Sequence, residues 1–326
     1  LINEEIILSV SITAYNMEKY VARAIESVLS QKTNFAYEII VADDCSTDNT
    51  IPILQAYQQK LGERFVILYA EKNRGLIANY VNSLKAAKGK YIASLDADDY
   101  WIDENKLQKQ ADILNKNEDV GYVHTNFYYE EEVSKKRRLA RSLHYRPSEN
   151  NVFIDNLLNF DIYLGSSCIR KSALDFNELA VFVDKKFHAQ DYPIFLTLAL
   201  KTKEYYLPEP TAIYSLIINS MSRQVDVKKN IDVKNKTFAI SQYFIAKYSV
   251  PILVQAKIKF QHKFSVLLAA WVSHDFNFVK QYTRELHLRD FLKYNPKATY
   301  IYIASKNKFL YMLLIPWVLR KRRFGR

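Results

Sequence analysis

The sequence predicts an α/β fold: a mainly parallel sheet with helices on both faces, followed by a mostly helical C-terminal region. Three observations carry that expectation. The first hundred residues alternate between short β-branched runs and longer amphipathic stretches, the chain beyond Val227 is Lys- and aromatic-rich at helical spacing, and unusual polar residues fall where strands finish. Such alternation implies parallel strands joined by helical crossovers.

Ile6 to Thr13 reads as the first strand, and Glu18 to Gln31 as a helix with Val21, Ile25, Val28 and Leu29 at helical spacing. Tyr37 to Ala42 is a second strand, Thr50 to Leu61 a second helix and Phe65 to Ala70 a third strand. Leu76 to Ala87 is a third helix closed by Gly89, and Lys90 to Leu95 a fourth strand, which completes a βαβαβαβ order. A helix over Asn105 to Lys116 and a strand over Val120 to Phe127 follow; the charged stretch Glu130 to Arg141 reads as a solvated hairpin tip or loop. Phe238 to Tyr248 and Gln255 to Trp271 read as helices, and a boundary near residue 228 separates an α/β domain, 1–227, from a helical region, 228–326. Phe309 to Leu319 is an apolar run of about eleven residues interrupted by Pro316, too short to span a bilayer. It either closes a core or lies in a membrane interface with the basic tail behind it.

Of the 326 residues 49% are apolar, 14% are aromatic and only 6 are Gly, a composition that folds and is not of low complexity. The net charge of +11 suits an anionic partner. Much of it is local, because Arg320, Lys321, Arg322, Arg323 and Arg326 crowd the C-terminal end, and no nucleic-acid-binding motif accompanies them. Cys45 and Cys168 fit neither a disulfide framework nor a metal spacing and read as free thiols of a reducing compartment. The N-terminus lacks the basic region and long apolar run of a signal peptide, so the expected location is cytoplasmic.

In such sheets ligands sit at the carboxyl ends of the strands. Thr13, Tyr15 and Asn16 follow the first strand, Asp43 and Asp44 the second, and Asp96, Asp98 and Asp99, within YIASLDADDYW, the fourth. Singly, each has a plainer explanation: Asp43, Asp44 and Ser46 as a helix cap, Tyr15 as a packed aromatic. Three carboxylates in four positions repel one another, so they are either solvated on an open loop or await a cation. No GxGxxG follows the first strand, which sets dinucleotide oxidoreduction aside.

The segments SVSITAYNMEKYVARAIESVLSQ, EIIVADDCSTDNT, NRGLIANYVNSLKAAKGKYIASLDADDYW, KLQKQ and QDYPIFLTLAL occur in that order over roughly residues 9 to 200. In order and spacing they resemble the family 2 glycosyltransferases, inverting enzymes of the Rossmann-like GT-A fold that build bacterial polysaccharides. The resemblance implies that Thr13 and Tyr15 line a base pocket and that Asp44, with Asp43 beside it, hydrogen-bonds the base. A carboxylate accepts the uracil N–H, so a UDP-sugar is the default donor. Asp96 to Asp98 resembles the DxD motif, with one carboxylate near the ribose and another, Asp98, on a divalent ion bridging the diphosphate. Hard carboxylate oxygens suit Mg²⁺ or Mn²⁺, and Asp96 and Asp98 are the metal candidates.

Asp191 matches the acidic residue that acts as general base in the family; alone, it would read as a carboxylate favoured by a helix N-terminus, with His188 as a second candidate base nearby. The chain departs from the pattern where Cys45 replaces a common Gly, which bears on the backbone of that loop. It departs again near Tyr214, where Ser215 supplies none of the positive charge relatives carry. Arg223 is the candidate substitute for contacting the diphosphate. Arg74 is another phosphate candidate, against a solvated surface arginine. Gly165, Ser166 and Ser167 either border an acceptor pocket or form a plain turn.

The resulting expectation is inverting transfer of a sugar from a nucleotide-sugar donor to a glycan or lipid-linked acceptor, with a membrane surface as a candidate partner and no nucleic acid. The alternative is a non-catalytic nucleotide-sugar-binding or membrane-docking subunit of the same fold.

Overall fold

The computed structural model describes residues 5–141, 151–217 and 226–323. The chain divides into two compact units, Leu1–Ile217 and Ile218–Arg326. In the first, strands β1 (Ile6–Ala14), β2 (Ala36–Asp43), β3 (Phe65–Tyr69) and β4 (Tyr91–Asp96) alternate with helices α1 (Val21–Leu29), α2 (Thr50–Leu61) and α3 (Leu76–Ala86). The strands pair in the order β3-β2-β1-β4, all parallel. In β1, Leu8, Val10 and Ile12 are buried on one face and Ser9, Ser11 and Thr13 on the other, as a strand covered on both sides requires. Its buried hydroxyls are satisfied: Ser9 Oγ donates to Glu38 Oε1 at 2.6 Å, and the Ser11 and Ser83 hydroxyls are 2.5 Å apart. Helix α1 buries Val21, Ala24, Ile25 and Val28, the stripe expected at a period of 3.6.

Beyond β4 the sheet changes sense. The remaining elements of the unit are β5 (Tyr100–Trp101), α4 (Lys106–Lys116), β6 (Val120–Glu131), β7 (Arg137–Leu139), α5 (Val152–Asn159), β8 (Ser167–Arg170), α6 (Phe176–Asp184), α7 (Asp191–Lys201) and β9 (Lys203–Leu216). β8 is inserted antiparallel between β4 and β6, β9 runs parallel to β6 on its other side, and β5 ends the sheet antiparallel to β9. At four and two residues, β8 and β5 are too short to show a hydrophobic period, so only their pairing partners reveal them. The charged stretch after Glu130 forms the β6–β7 hairpin, with Glu130 opposite Arg137 and the Arg137 Nε donating to Glu130 Oε2 at 2.8 Å.

The second unit is helical: α8 (Val227–Lys247), α9 (Ile252–Trp271), α10 (Phe276–Thr283), α11 (Leu288–Tyr294), α12 (Thr299–Lys306) and α13 (Lys308–Arg323). Asp226 caps α8 by accepting from the Lys229 N–H at 3.0 Å, so that helix starts well before Phe238; its lysine-rich first turns hide the period. The core closes around Trp271, which is fully buried, with the indole Nε1 donating to Ser305 Oγ at 2.9 Å and the ring 4.8 Å from that of Tyr311. The apolar run at Phe309 therefore contributes Tyr311 to a core, while Phe309, Met312 and Leu313 stay exposed.

Candidate active site

Parallel register brings the strand ends together. Thr13 on β1 is level with Ala42 on β2 and with Asp96 on β4, and Ala14 is level with Asp43. The residues read as three separate clusters in the sequence therefore share one edge.

Asp43 is fully buried, and its carboxylate accepts from the Ser46 N–H at 2.8 Å and the Ser46 hydroxyl, closing the turn after β2. Asp44 accepts from the backbone N–H of Arg74 at 2.8 Å and of Gly75 at 2.9 Å, which ties the loop before α3 to the strand edge. Gly75 meets this geometry at φ +87°, a left-handed conformation that suits glycine. The Arg74 side chain is exposed. Tyr15 is 44% exposed, so its ring stands at the edge of the site and not in the core. Asn16 and Cys45, the residues that shape the two loops here, have φ of 55° and 68°.

In the acidic cluster the three carboxylates have different surroundings. Asp96 accepts from Thr13 Oγ1 and from Gln190 Nε2, each at 2.7 Å. Burial pushes its carboxyl above the usual range against the pull of those two bonds. Asp98 is pushed up to about 7, first by burial and then by the Asp96 charge, with Arg23 offsetting part of it. Both residues keep some solvent contact, yet they are ringed by enough protein for desolvation to dominate.

Asp99 is 2% exposed and faces inward, accepting from Tyr163 Oη at 2.5 Å and from the Ser215 N–H at 2.6 Å. Gly165 makes room for that phenol, since a Cβ there would fall 2.2 Å from Tyr163 Oη. The Gly165–Ser166 turn is itself fixed by Trp101 Nε1, donating to Gly165 O at 2.8 Å, and by Gln110 Nε2, donating to Ser166 O at 2.9 Å. Ser166 and Ser167 are buried in this turn into β8.

Asp191 opens α7, its Oδ1 accepting from the Tyr192 N–H at 2.7 Å. Burial, and to a lesser degree the Asp96 charge, pushes it up to about 6. Gln190, donating to Asp96, sets the start of α7 beside the acidic pair. His188 is half-buried on the preceding loop, and Arg223 lies outside the described residues. Sequence reasoning did not single out Gln190, Tyr163 or Arg23. Arg23 reaches from α1 to donate to the Asp98 carbonyl at 2.8 Å and to Ser215 Oγ at 3.2 Å, with its guanidinium 4.3 Å from the Tyr100 ring centre. Only Gln190 had a local signal, its position beside Asp191.

The pair Asp96 and Asp98 fits a divalent cation: hard oxygen donors, crowded, with Asp96 held by two neutral donors and the Asp98 charge offset only in part by Arg23. Among the described residues no group of three or more His, Cys, Asp and Glu could hold an ion. Two carboxylates suit the other way such ions are held, through one or two protein ligands plus substrate phosphates and water.

The glycosyl transferase family 2 model matches residues 9–176. Uncharacterised proteins of Mycobacterium tuberculosis are 38% identical over 109 residues, 33% of this chain and 32% of theirs; the match thus spans about a third of those relatives. The Escherichia coli enzyme WfaP, a UDP-Glc:α-D-GlcNAc-diphosphoundecaprenol β-1,3-glucosyltransferase, is 27% identical over 249 residues, 74% of this chain and 92% of its own. Among solved structures, S. aureus TarS in complex with UDP-GlcNAc superposes with a TM-score of 0.61 at 18% identity, covering 98% of this chain and 93% of that one. The Pyrobaculum calidifontis mannosyltransferase PcManGT, with GDP-Man and Mn²⁺, gives 0.57 at 13% identity over 95% and 87%. The fold is that of these enzymes, GT-A.

Proposed function

Because the chain belongs to glycosyl transferase family 2, we propose that it moves a sugar from a nucleotide-diphosphate donor to a hydroxyl of a glycan or lipid-linked acceptor in polysaccharide synthesis, with inversion. The observation that carries this reading is the pair Asp96 and Asp98, only partly offset by Arg23 at the strand edge, with Asp191 brought beside it by the Gln190 bond.

Tyr15 offers an open ring for the base, and Asp44, already fixed by two backbone donors, lies on the same edge with Thr13. Asp98, with Asp96, would hold Mn²⁺ or Mg²⁺, which when bound offsets the diphosphate charge as it departs. Asp191 takes the proton of the acceptor hydroxyl; that oxygen bonds to the anomeric carbon, and the bond to the diphosphate oxygen breaks, its electron pair leaving with the nucleotide. One displacement inverts the centre, so no protein nucleophile is needed. A carboxylate pushed up to about 6 is a stronger base than an ordinary one and is still ionised at neutral pH.

UDP-sugars are the favoured donors, supported by the UDP-Glc in WfaP's name and the UDP-GlcNAc bound to TarS. The diphosphoundecaprenol acceptor named for WfaP supports a lipid-linked one here. The free thiols Cys45 and Cys168 are consistent with a cytoplasmic setting. The test is a panel of UDP-sugars and GDP-mannose with Mn²⁺, read by thermal shift and donor hydrolysis, with EDTA as control. One UDP-sugar should be selected and its turnover should stop in EDTA. Binding without turnover on any donor would favour the non-catalytic alternative.

A further inference from the structure

Among its described side chains, Lys308 to Ile315, helix α13 is held to its unit by part of its surface only. Tyr311 is 2% exposed in the core, and Leu310, Leu314 and Ile315 pack partly against it. Phe309, Met312 and Leu313, spaced i, i+3 and i+4, share another face and are 74%, 64% and 64% exposed. Asn307 caps the helix, its Oδ1 accepting from the N–H groups of Phe309 and Leu310 at 3.0 and 3.1 Å, so this face begins at a well-formed first turn. A recess of about 540 Å³ adjoins it, lined by Met312 and Ile315 on α13 and by Phe276, with Lys308 and the acidic Asp275 also on its wall.

Charge divides sharply between the two units. Residues 218–326 hold 21 Lys and Arg against 5 Asp and Glu, a net +16, whereas residues 1–217 hold 25 against 30, a net −5. From Lys308 to Arg326 there is no acidic residue, and Arg320, Lys321, Arg322 and Arg323 follow the apolar face within the same helix.

We propose that this face of α13 docks on an anionic lipid bilayer, the helix lying in the interface with its basic end at the headgroups. Apolar burial and attraction to anionic lipid are each marginal alone and sufficient together. The helix lies on the membrane and does not cross it, since no helix among the described residues is long and apolar enough to span. Nucleic acid would use the positive charge but not the apolar row. Two copies paired through this face would bring together two units of net +16, which repel. The proposal does not depend on the transfer reading, because vesicle binding is measured without turnover.

The experiment is co-sedimentation of the full chain with phosphatidylglycerol-containing vesicles and with phosphatidylcholine alone, at low and high salt. The parent should bind the anionic vesicles, weakly at high salt, and bind phosphatidylcholine poorly. The variant F309S/M312Q/L313Q alters only exposed side chains and should lose at least tenfold in binding with an unchanged melting midpoint. Neutralising Arg320, Lys321, Arg322 and Arg323 to Gln should weaken anionic binding by roughly 5-fold per residue and flatten the salt dependence. No binding by the parent, equal binding to both vesicle types, or a triple variant as good as the parent would overturn the proposal. So would a parent dimer in sedimentation velocity that the triple variant abolishes, or salt-sensitive binding to a DNA fragment with none to vesicles.

Discussion

The parallel and mixed halves of the sheet build the site by different means. β1, β2 and β4 deliver Thr13, Asp43, Asp44 and Asp96 at or just past their ends, so register alone aligns them. The mixed half contributes Gln190, Tyr163 and Ser215 through bonds that close 94, 64 and 116 residues of chain. The parallel half thus brings the acidic pair, while the mixed half brings Asp191 and neutral donors: an amide, a phenol and a backbone N–H. Neutral donors orient carboxylates without discharging them, and Arg23 directs its hydrogen bonds to the Asp98 carbonyl and Ser215 Oγ and not to a carboxylate. The acids stay available to a cation that arrives with the donor.

The largest effect should come from removing that charge. Asp98→Ala leaves the loop's ties in place, because they run through the Asp98 carbonyl. Transfer should fall by roughly 10³, the scale of several kcal/mol of lost metal stabilisation, and Mn²⁺-dependent donor affinity should drop with it in calorimetry. Parental turnover in this variant would mean that the parallel half supplies a frame and no metal ligand.

Asp191→Asn tests the other half. Transfer should drop by about 10² or more with donor and metal affinity close to the parent's, the mark of a lost general base. With Asp191 pushed up to about 6 by burial, the base is ionised above that pH and becomes protonated below it, so kcat/KM should decline as pH falls through about 6. The Asn variant should lack this acidic limb. If the variant transfers at near-parental rates, the base is His188 or another residue; a limb that persists in a slow variant belongs to Asp98, itself pushed up to about 7.

How legible each half was follows from how it is built. The first four strands show a period, and the rule that ligands meet strand ends then places Thr13, Tyr15, Asp43, Asp44 and Asp96 on one edge without coordinates. Nothing local marks Tyr163 or Ser215 as partners of Asp99, and nothing in DADD separates the inward acid from the two that face the site. That distinction arises from Gly165 admitting a phenol and from β9 presenting a backbone N–H, both set by long-range packing. Arg23 was hidden likewise, one of the chain's 46 Lys and Arg, on a helix whose buried stripe excludes it.

Arg23 gives the next prediction, smaller because it acts through Asp98. Arg23→Gln should reduce Mn²⁺ affinity by about 10-fold, as partners that orient metal ligands typically do, and raise the KM for the donor at limiting metal more than it lowers kcat at saturating metal. Arg23→Lys, which keeps the charge but loses the planar fork, should recover little. A uniform loss in kcat unrelieved by metal would point to a purely structural role.

The smallest effect lies in the parallel half, in the loop where Cys45 stands at φ +68°. An L-residue in the left-handed region costs about 1–2 kcal/mol. Glycine escapes that cost but gives back roughly 0.5–1 kcal/mol through its freer unfolded chain. The Cys45 thiol offsets little of the difference, since its Sγ donates only a long, weak bond, at 3.8 Å, to the Glu71 carbonyl. Cys45→Gly should therefore stabilise the protein by about 0.5 kcal/mol, a rise of one or two degrees in melting midpoint for a domain of this size. Donor affinity should stay as it was, because the Asp43 and Asp44 bonds on either side involve Ser46, Arg74 and Gly75 and not the Cys45 side chain. Cys45→Ala is the control: it deletes the thiol and keeps the backbone strain, so it should gain nothing. Asn16, at φ 55°, is a residue type that tolerates this region, and its Oδ1 accepts from the Thr47 N–H at 2.8 Å, so Asn16→Gly should lose stability where Cys45→Gly gains it. If Ala and Gly at position 45 stabilise equally, the thiol and not the backbone is the source, and the loop has no need of a glycine there.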